Sequence, residues 1–121
     1  MSERKQYDIP KMSLNQKIMF FEQFSMYLSS SIPVSSALQD MKKYAPSDKI
    51  KLIAHLLLKE MDRGINFSDA ILKCKKGLGS TYCNLMSLGA QAGELPRILK
   101  DIWESLKQQR TFKIGRAHVW T

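Results

Sequence analysis

Ala90-Gln91-Ala92-Gly93-Glu94-Leu95-Pro96-Arg97-Ile98-Leu99 is the stretch that decides the fold of this 121-residue chain. Its small residues interrupt a helical pattern, and the carboxylate of Glu94 stands directly before Leu-Pro. Proline is tolerated in the first turn of a helix, where its missing N–H would have no partner in any case. Beyond the break, Ile98, Ile102 and Leu106 recur at four-residue intervals, which predicts an amphipathic helix. The stretch therefore predicts two helices joined by a tight turn.

The same organisation recurs upstream of this stretch. Ser13 and Gln16 have the spacing of a capping box, Pro33 begins a second helix, and Gly64 is placed to end a third in a left-handed conformation. We predict helices over about residues 14–30, 33–45, 48–63, 66–77, 80–92 and 96–112, with Gly77 closing the fourth. No segment shows the sustained alternation of a strand. The expected fold is all-α, a compact antiparallel bundle of about six helices.

Composition and charge narrow the class of protein. Hydrophobic residues make up 44% and charged residues 25% of the chain, as in an ordinary globular domain. The longest apolar run, residues 53–58, is far shorter than the ~20 residues that cross a bilayer. We expect residues 1–12 to form a flexible leader without a signal peptide, and the chain to be cytosolic. The net charge of +8 invites a phosphate-bearing partner, either nucleic acid or anionic lipid.

The sequence contains no recognisable catalytic pattern. Cys74 and Cys83 lack the spacing of a metal site, and we interpret them as buried, reduced thiols. His55 has neither a partner nor a pocket indicated by the sequence, as a general base would need. Glycine-rich phosphate loops and hydrolase motifs are also missing. We therefore expect no enzyme activity, no cofactor and no metal.

Three turn motifs occur in the order of a known family. The first is Ser30-Ser31-Ile32-Pro33-Val34, followed by Ala37-Leu38. The second consists of Gly64, Phe67, Ser68, Ala70 and Ile71, and the third is Ala92-Gly93-Glu94-Leu95. Together they resemble the cytoplasmic helical module of the F-type platform proteins of type II secretion and type IV pilus systems. Two departures are visible: Ser31 stands where glycine is usual, and the Ser-Gly spacer after Glu94 is missing.

The resemblance implies a non-enzymatic component of the inner-membrane platform. Residues 13–113 would be a cytoplasmic module that contacts the assembly ATPase and other platform proteins, in a homo-oligomer held in the membrane by spans downstream of this chain. The family motifs supply the candidate interaction residues, which are Pro33, Ala37, Leu38, Gly64, Ser68, Ala70, Gly93, Glu94 and Leu95.

Three questions remain open at this stage: the role of Glu94, the origin of residues 114–121 and the function of the domain. Glu94 either satisfies free N–H groups at the start of the last helix or contacts a partner. Residues 114–121 resemble the translation of a sequencing adapter, and we expect them to be a non-native tail; a genuine or vector-derived tail is the alternative. A basic nucleic-acid-binding domain is the alternative function, because Lys100, Lys107 and Arg110 lie on the last predicted helix.

Overall fold

A computed structural model describes the backbone of residues 5–119 and the side chains of residues 5–111. The described chain is all-α, as predicted. Its α-helices are α1 (Leu14–Ser29), α2 (Val34–Tyr44), α3 (Asp48–Asp62), α4 (Phe67–Ala70), α5 (Lys75–Leu78), α6 (Ser80–Gln91) and α7 (Leu95–Val119), with a 3₁₀ turn at Ile71–Lys73 between α4 and α5.

Local chemistry explains where several helices begin. The Ser13 hydroxyl accepts a hydrogen bond from the N–H of Gln16, whose side chain in turn accepts from the N–H of Ser13, so the predicted capping box is present. The Asn66 side chain caps α4 by accepting from the N–H of Asp69. Ser47 occupies the N-cap position of α3, but its side chain makes no capping hydrogen bond.

The predicted fourth helix is divided in the structure. Cys74, at φ −103° and ψ 19°, interrupts the helical backbone between the 3₁₀ turn and α5. The prediction that Gly77 closes this segment is wrong: Gly77 lies within α5, and Gly79, at φ +100°, ends it. A methyl group at Gly77 would come within 2.8 Å of Cγ2 of Ile9, so glycine is required there by a neighbour distant in the sequence.

The sequence predicts a flexible leader over residues 1–12, of which 1–4 lie outside the described residues; residues 5–12 pack against the body of the bundle. The N–H of Tyr7 donates to the carbonyl of Lys73 at 2.8 Å, and the N–H of Met12 donates to that of Gly77 at 3.1 Å. Ile9 and Met12 are almost fully buried. This segment, which we call the strap, fills an apolar surface that the short 3₁₀ turn and α5 leave uncovered.

The core draws on all the helices, with α1 packed chiefly against α7 and α2 against α3. Phe20, Phe21 and Phe24 are fully buried, and the Phe20 and Phe21 rings meet edge to face with centroids 5.2 Å apart. Leu106 and Ile102 of α7 are buried on the face that the sequence predicts. The aromatic residues of α1 are thus core residues.

The long helices run antiparallel, which gives the bundle two distinct ends. Arg110, late in α7, donates to the Asn15 side chain at the start of α1 at 3.3 Å. Gln109 donates to the Tyr82 hydroxyl at the start of α6 at 3.5 Å. One end therefore combines the beginnings of α1 and α6 with the distal part of α7, and the other holds the α1–α2, α3–α4 and α6–α7 turns.

Candidate functional site

The three family motifs all form the same kind of helix end. Ser31, Gly64 and Gly93 each have positive φ, at +64°, +92° and +72°. In each case the next residue donates its N–H to a carbonyl five residues back, as in a Schellman motif. For α1 this bond joins the N–H of Ile32 to the carbonyl of Tyr27 at 3.1 Å. Ser31 thus adopts the left-handed conformation that glycine usually provides.

These three turns lie at the same end of the bundle, which we call the motif end. Between them is an open groove of about 540 Å³. All three motifs contribute to its walls, together with residues from the ends of α1 and α6. The lining residues are Leu28, Val34, Asn66, Phe67, Ser68, Ala90, Gln91, Gly93, Leu95 and Pro96.

Hydrogen bonds hold the walls of the groove in position. The Ser68 hydroxyl donates to the Asn66 side-chain oxygen at 2.8 Å. From α6, the buried Ser87 hydroxyl donates to the Ser68 carbonyl at 2.7 Å and accepts from the Gln91 amide at 3.3 Å. The second motif is thereby joined to the helix that precedes the third motif. A partner would meet a groove whose backbone is already ordered, which lowers the entropy cost of binding.

The nine candidate residues separate into three groups. Ser68, Gly93 and Leu95 line the groove directly. Pro33, Gly64 and Glu94 are exposed on the same end. Ala37, Leu38 and Ala70 are fully buried, so their contribution is to the packing beneath the groove and they touch no external partner.

Glu94 was considered either as a cap that satisfies free N–H groups at the start of the last helix or as a contact with a partner, and its backbone and side chain have different roles in the structure. Its backbone carbonyl accepts the first helical hydrogen bond of α7, from the N–H of Ile98 at 3.1 Å. Its carboxylate accepts from the guanidinium of Arg97 at 2.8 Å, and Arg97 also reaches Asp101 at 3.4 Å. The hydrogen bond and charge of Glu94 raise the pKa of Arg97. The carboxylate thus forms an exposed ion-pair row along α7 and is accessible to a partner.

A buried charge pair lies outside the motifs, and the sequence patterns did not predict it. The carboxylate of Glu60 is 6% exposed and accepts from the Lys73 ammonium at 2.8 Å. Arg63 approaches Glu60 at 3.6 Å, and the hydrogen bond from Lys73 lowers the pKa of Glu60. The helical spacing does indicate that Glu60 is buried, because it follows Ile53 and Leu57 on the face of α3 that points to the core.

The Tyr7 ring of the strap covers this pair. Lys73 lies 5.8 Å from the ring centroid. The Tyr7 hydroxyl is buried without a well-formed hydrogen bond to the described residues. Burial is the main cause that raises the pKa of Tyr7, and the nearby Glu60 raises it further. The charge pair therefore connects α3, the 3₁₀ turn and the strap, and its position makes it a structural element.

The residues considered for chemistry have the environments of structural side chains. Cys74 and Cys83 are free and fully buried, and burial raises the pKa of Cys83 to about 12. Both are consequently thiols at neutral pH, and a thiol is a poor nucleophile. His55 is exposed on α3. Within residues 5–111, no three His, Cys, Asp or Glu side chains are grouped as a metal site would require.

A comparison with protein families finds a match. The family described as type II secretion system (T2SS), protein F matches residues 20–117, which is well over half of the chain. The matched region begins within α1 and includes all three motif turns. No curated protein matches this sequence.

Proposed function

We propose that the helical bundle of this chain, which belongs to the type II secretion system protein F family, is a cytoplasmic docking module. The family comprises platform components of type II secretion and type IV pilus machines. The module would bind the cytoplasmic assembly ATPase and other platform proteins, and the groove at the motif end would be the contact surface.

The convergence of the three motifs is the observation that carries this proposal. Segments about thirty residues apart in the chain meet around one groove, and each is held in place by a Schellman turn. Packing alone does not require three exposed turns to share a groove with both apolar and polar walls. Binding sites in helical proteins are commonly formed in this way, as clefts between helices with a few fixed polar groups.

The proposed role is structural and involves no catalysis. Proteins of this family are structural parts of the secretion machine. The groove presents amide, hydroxyl and apolar groups, without a nucleophile next to a base. A surface of this composition suits the recognition of another protein.

The proposed location is the cytoplasmic face of the inner membrane, and the family is associated with that membrane. The described helices include none with the length and apolarity of a membrane span. We further propose that the module works in a homo-oligomer, as expected from the family resemblance. Sedimentation velocity of the chain across a concentration series tests that point, and a strictly monomeric species would contradict it.

Binding to the assembly ATPase of the same secretion system provides the direct test. The chain is immobilised and the purified ATPase is applied in biolayer interferometry. Gln91→Arg places a long cation in the groove, while Gln39→Arg makes the same change at an exposed site on α2 outside the groove. We expect Gln91→Arg to weaken binding about tenfold or more, equivalent to ~1.4 kcal/mol, and Gln39→Arg to leave it unchanged.

Two outcomes would reject the groove as the contact surface. One is the absence of ATPase binding by the wild-type chain. The other is an equal loss of affinity in both variants. Circular dichroism melting curves for each variant establish that a loss of binding does not come from unfolding.

A further inference from the structure

Opposite the motif end, the bundle carries a concentration of positive charge that the proposed function does not use. We call this surface the basic end. It is formed by the strap, the starts of α1, α3 and α6, the end of α2, α5 and the distal part of α7. Its principal cations are Lys11, Lys17, Lys43, Lys76, Lys107 and Arg110.

Direct contacts establish that these separate segments meet. The Lys49 ammonium donates to the Lys11 carbonyl at 3.3 Å and to the Gln16 side chain at 3.5 Å, which joins α3 to the strap and to α1. The strap is in turn joined to α5 by the hydrogen bond from the N–H of Met12 to the carbonyl of Gly77. Lys17 lies 5.9 Å from the ring centroid of Tyr82, which joins α1 to α6. The contact of Arg110 with Asn15 adds α7 to the same surface.

The charge of this end is not neutralised internally. Within the described residues, the ion pairs of the protein involve Glu60 and the row of Glu94, Arg97 and Asp101, all away from the basic end. The carboxylates on the segments that form the basic end are Asp8, Asp48 and, on α7 three residues before Lys107, Glu104, which are fewer than the cations. The two ends of the molecule therefore differ in charge, and the excess of cations faces solvent.

Aromatic side chains lie among these cations. The Lys107 ammonium is 4.4 Å from the Trp103 ring centroid, and Tyr82 lies beneath Lys17. Lysines surrounding half-buried Trp and Tyr rings are typical of surfaces that meet the headgroup region of a bilayer. The cations are also spread over several segments, whereas sequence-reading DNA-binding proteins usually insert one helix into the major groove.

We infer that the basic end binds the anionic phosphate surface of a lipid bilayer, with the motif end directed away from the membrane. This inference rests on the proposed function for the location of the module beside the inner membrane. It adds an orientation: the groove would face the cytoplasm, where a soluble partner can reach it. Clusters of four to eight Lys or Arg residues have this role in other membrane-associated proteins.

Vesicle co-sedimentation of the 121-residue chain provides the test. The anionic vesicles contain phosphatidylethanolamine with about one-third phosphatidylglycerol, and the neutral vesicles contain phosphatidylcholine. The test variant is Lys43→Gln/Lys76→Gln/Arg110→Gln. The matched control is Lys59→Gln/Arg97→Gln/Lys100→Gln, which removes the same number of exposed cations closer to the motif end.

We expect the wild-type chain to bind anionic vesicles and not neutral ones, with an affinity that decreases as salt increases. The basic-end variant should lose roughly tenfold or more of its partitioning, while the control stays close to wild type. Equal loss in the two variants, or no binding to anionic vesicles, would overturn the inference.

Binding to a duplex DNA probe in the same buffer tests whether the basic end prefers nucleic acid to an anionic bilayer. Tighter binding of the wild-type chain to DNA than to anionic vesicles, lost in the basic-end variant, would also overturn the inference. ATPase binding by the basic-end variant distinguishes this proposal from the preceding one. Retained ATPase affinity together with lost vesicle binding supports two separate surfaces.

Discussion

Gly89 of α6 lies directly against Ile98 of α7, so that a methyl group at Gly89 would come within 2.7 Å of the Ile98 Cγ1 atom. The two helices approach closely because residue 89 has no side chain. This contact lies one turn before the third motif, directly beside Ala90 and Gln91, which line the groove. The groove therefore depends on a helix-packing contact as well as on its own lining residues.

Replacing Gly89 with alanine tests this contact. Alanine favours a helix by ~1 kcal/mol relative to glycine, but forcing a methyl group into a packed interface costs about 1–3 kcal/mol. We expect a net destabilisation of about 1 kcal/mol in urea denaturation. In an Ile98→Ala background the same substitution should cost less, because the clashing atoms are absent. An equal cost in both backgrounds would contradict the proposed clash.

Docking of the strap is tested at Ile9, which is 3% exposed and lies against Gly77. We expect Ile9→Ala to destabilise the protein by about 2–4 kcal/mol, the usual range for truncating a buried aliphatic side chain. Asp8→Ala, at the exposed neighbouring position, is the matched control and should have little effect. Limited proteolysis should cut the strap faster in the Ile9 variant. Equal stability of wild type and Ile9→Ala would mean that the strap is undocked in solution.

The buried pair of Glu60 and Lys73 predicts a pH dependence of stability. The folded-state pKa of Glu60 lies below its ordinary value of 4.5, chiefly because of the hydrogen bond from Lys73. The resulting stabilisation is complete above about pH 4.5 and is lost as pH falls through the folded-state pKa. The other groups facing this carboxylate are the Arg63 guanidinium, 3.6 Å away, and Tyr7, whose raised pKa keeps it neutral in this range.

Glu60→Gln should remove this dependence and reduce stability at neutral pH. The loss should be about 2 kcal/mol, since the amide oxygen of glutamine can still accept from Lys73 but no longer carries the charge that strengthens this bond, while the partly exposed Lys73 can still reach water. The measurement is the free energy of unfolding from urea titrations between about pH 3 and 7. Glu104→Gln, at an exposed position on α7, is the control. Parallel pH profiles for wild type and Glu60→Gln would argue against this assignment.

Among the described residues, Ser31 is the only one other than glycine with a positive φ. Replacing it with glycine should therefore stabilise the protein. A left-handed conformation costs a non-glycine residue about 1–2 kcal/mol, part of which is offset by the greater freedom of glycine in the unfolded chain. We expect Ser31→Gly to raise the free energy of unfolding by about 0.5–1 kcal/mol.

Ser30→Gly is the matched control for Ser31→Gly. Ser30 has φ −89°, so glycine relieves no strain there and only increases the entropy lost on folding. It should leave stability unchanged or slightly lower. A loss of stability in Ser31→Gly comparable to that of Ser30→Gly would show that the strain at Ser31 is already relieved.

Rules acting over a few residues account for the parts of this protein that were predictable. The all-α class follows from apolar spacing, the start of α1 from the capping box of Ser13 and Gln16, and the ends of α3 and α6 from Gly64 and Gly93. The groove could be anticipated only as three motifs in order. Nothing local indicates that they meet, because helix lengths and crossing angles together bring the turns to one end.

The sequence by itself determined the all-α class and most of the helix ends, because each depends on neighbours within about one or two helical turns. It also indicated the family, through three short motifs in a fixed order. Only the tertiary structure decided that the strap docks, that Gly77 is needed for packing against Ile9, and that Glu60 is buried against Lys73. The physical reason is that these outcomes depend on contacts between segments far apart in the chain. Burial of a charge or a strap is favourable only when another part of the fold supplies its partner.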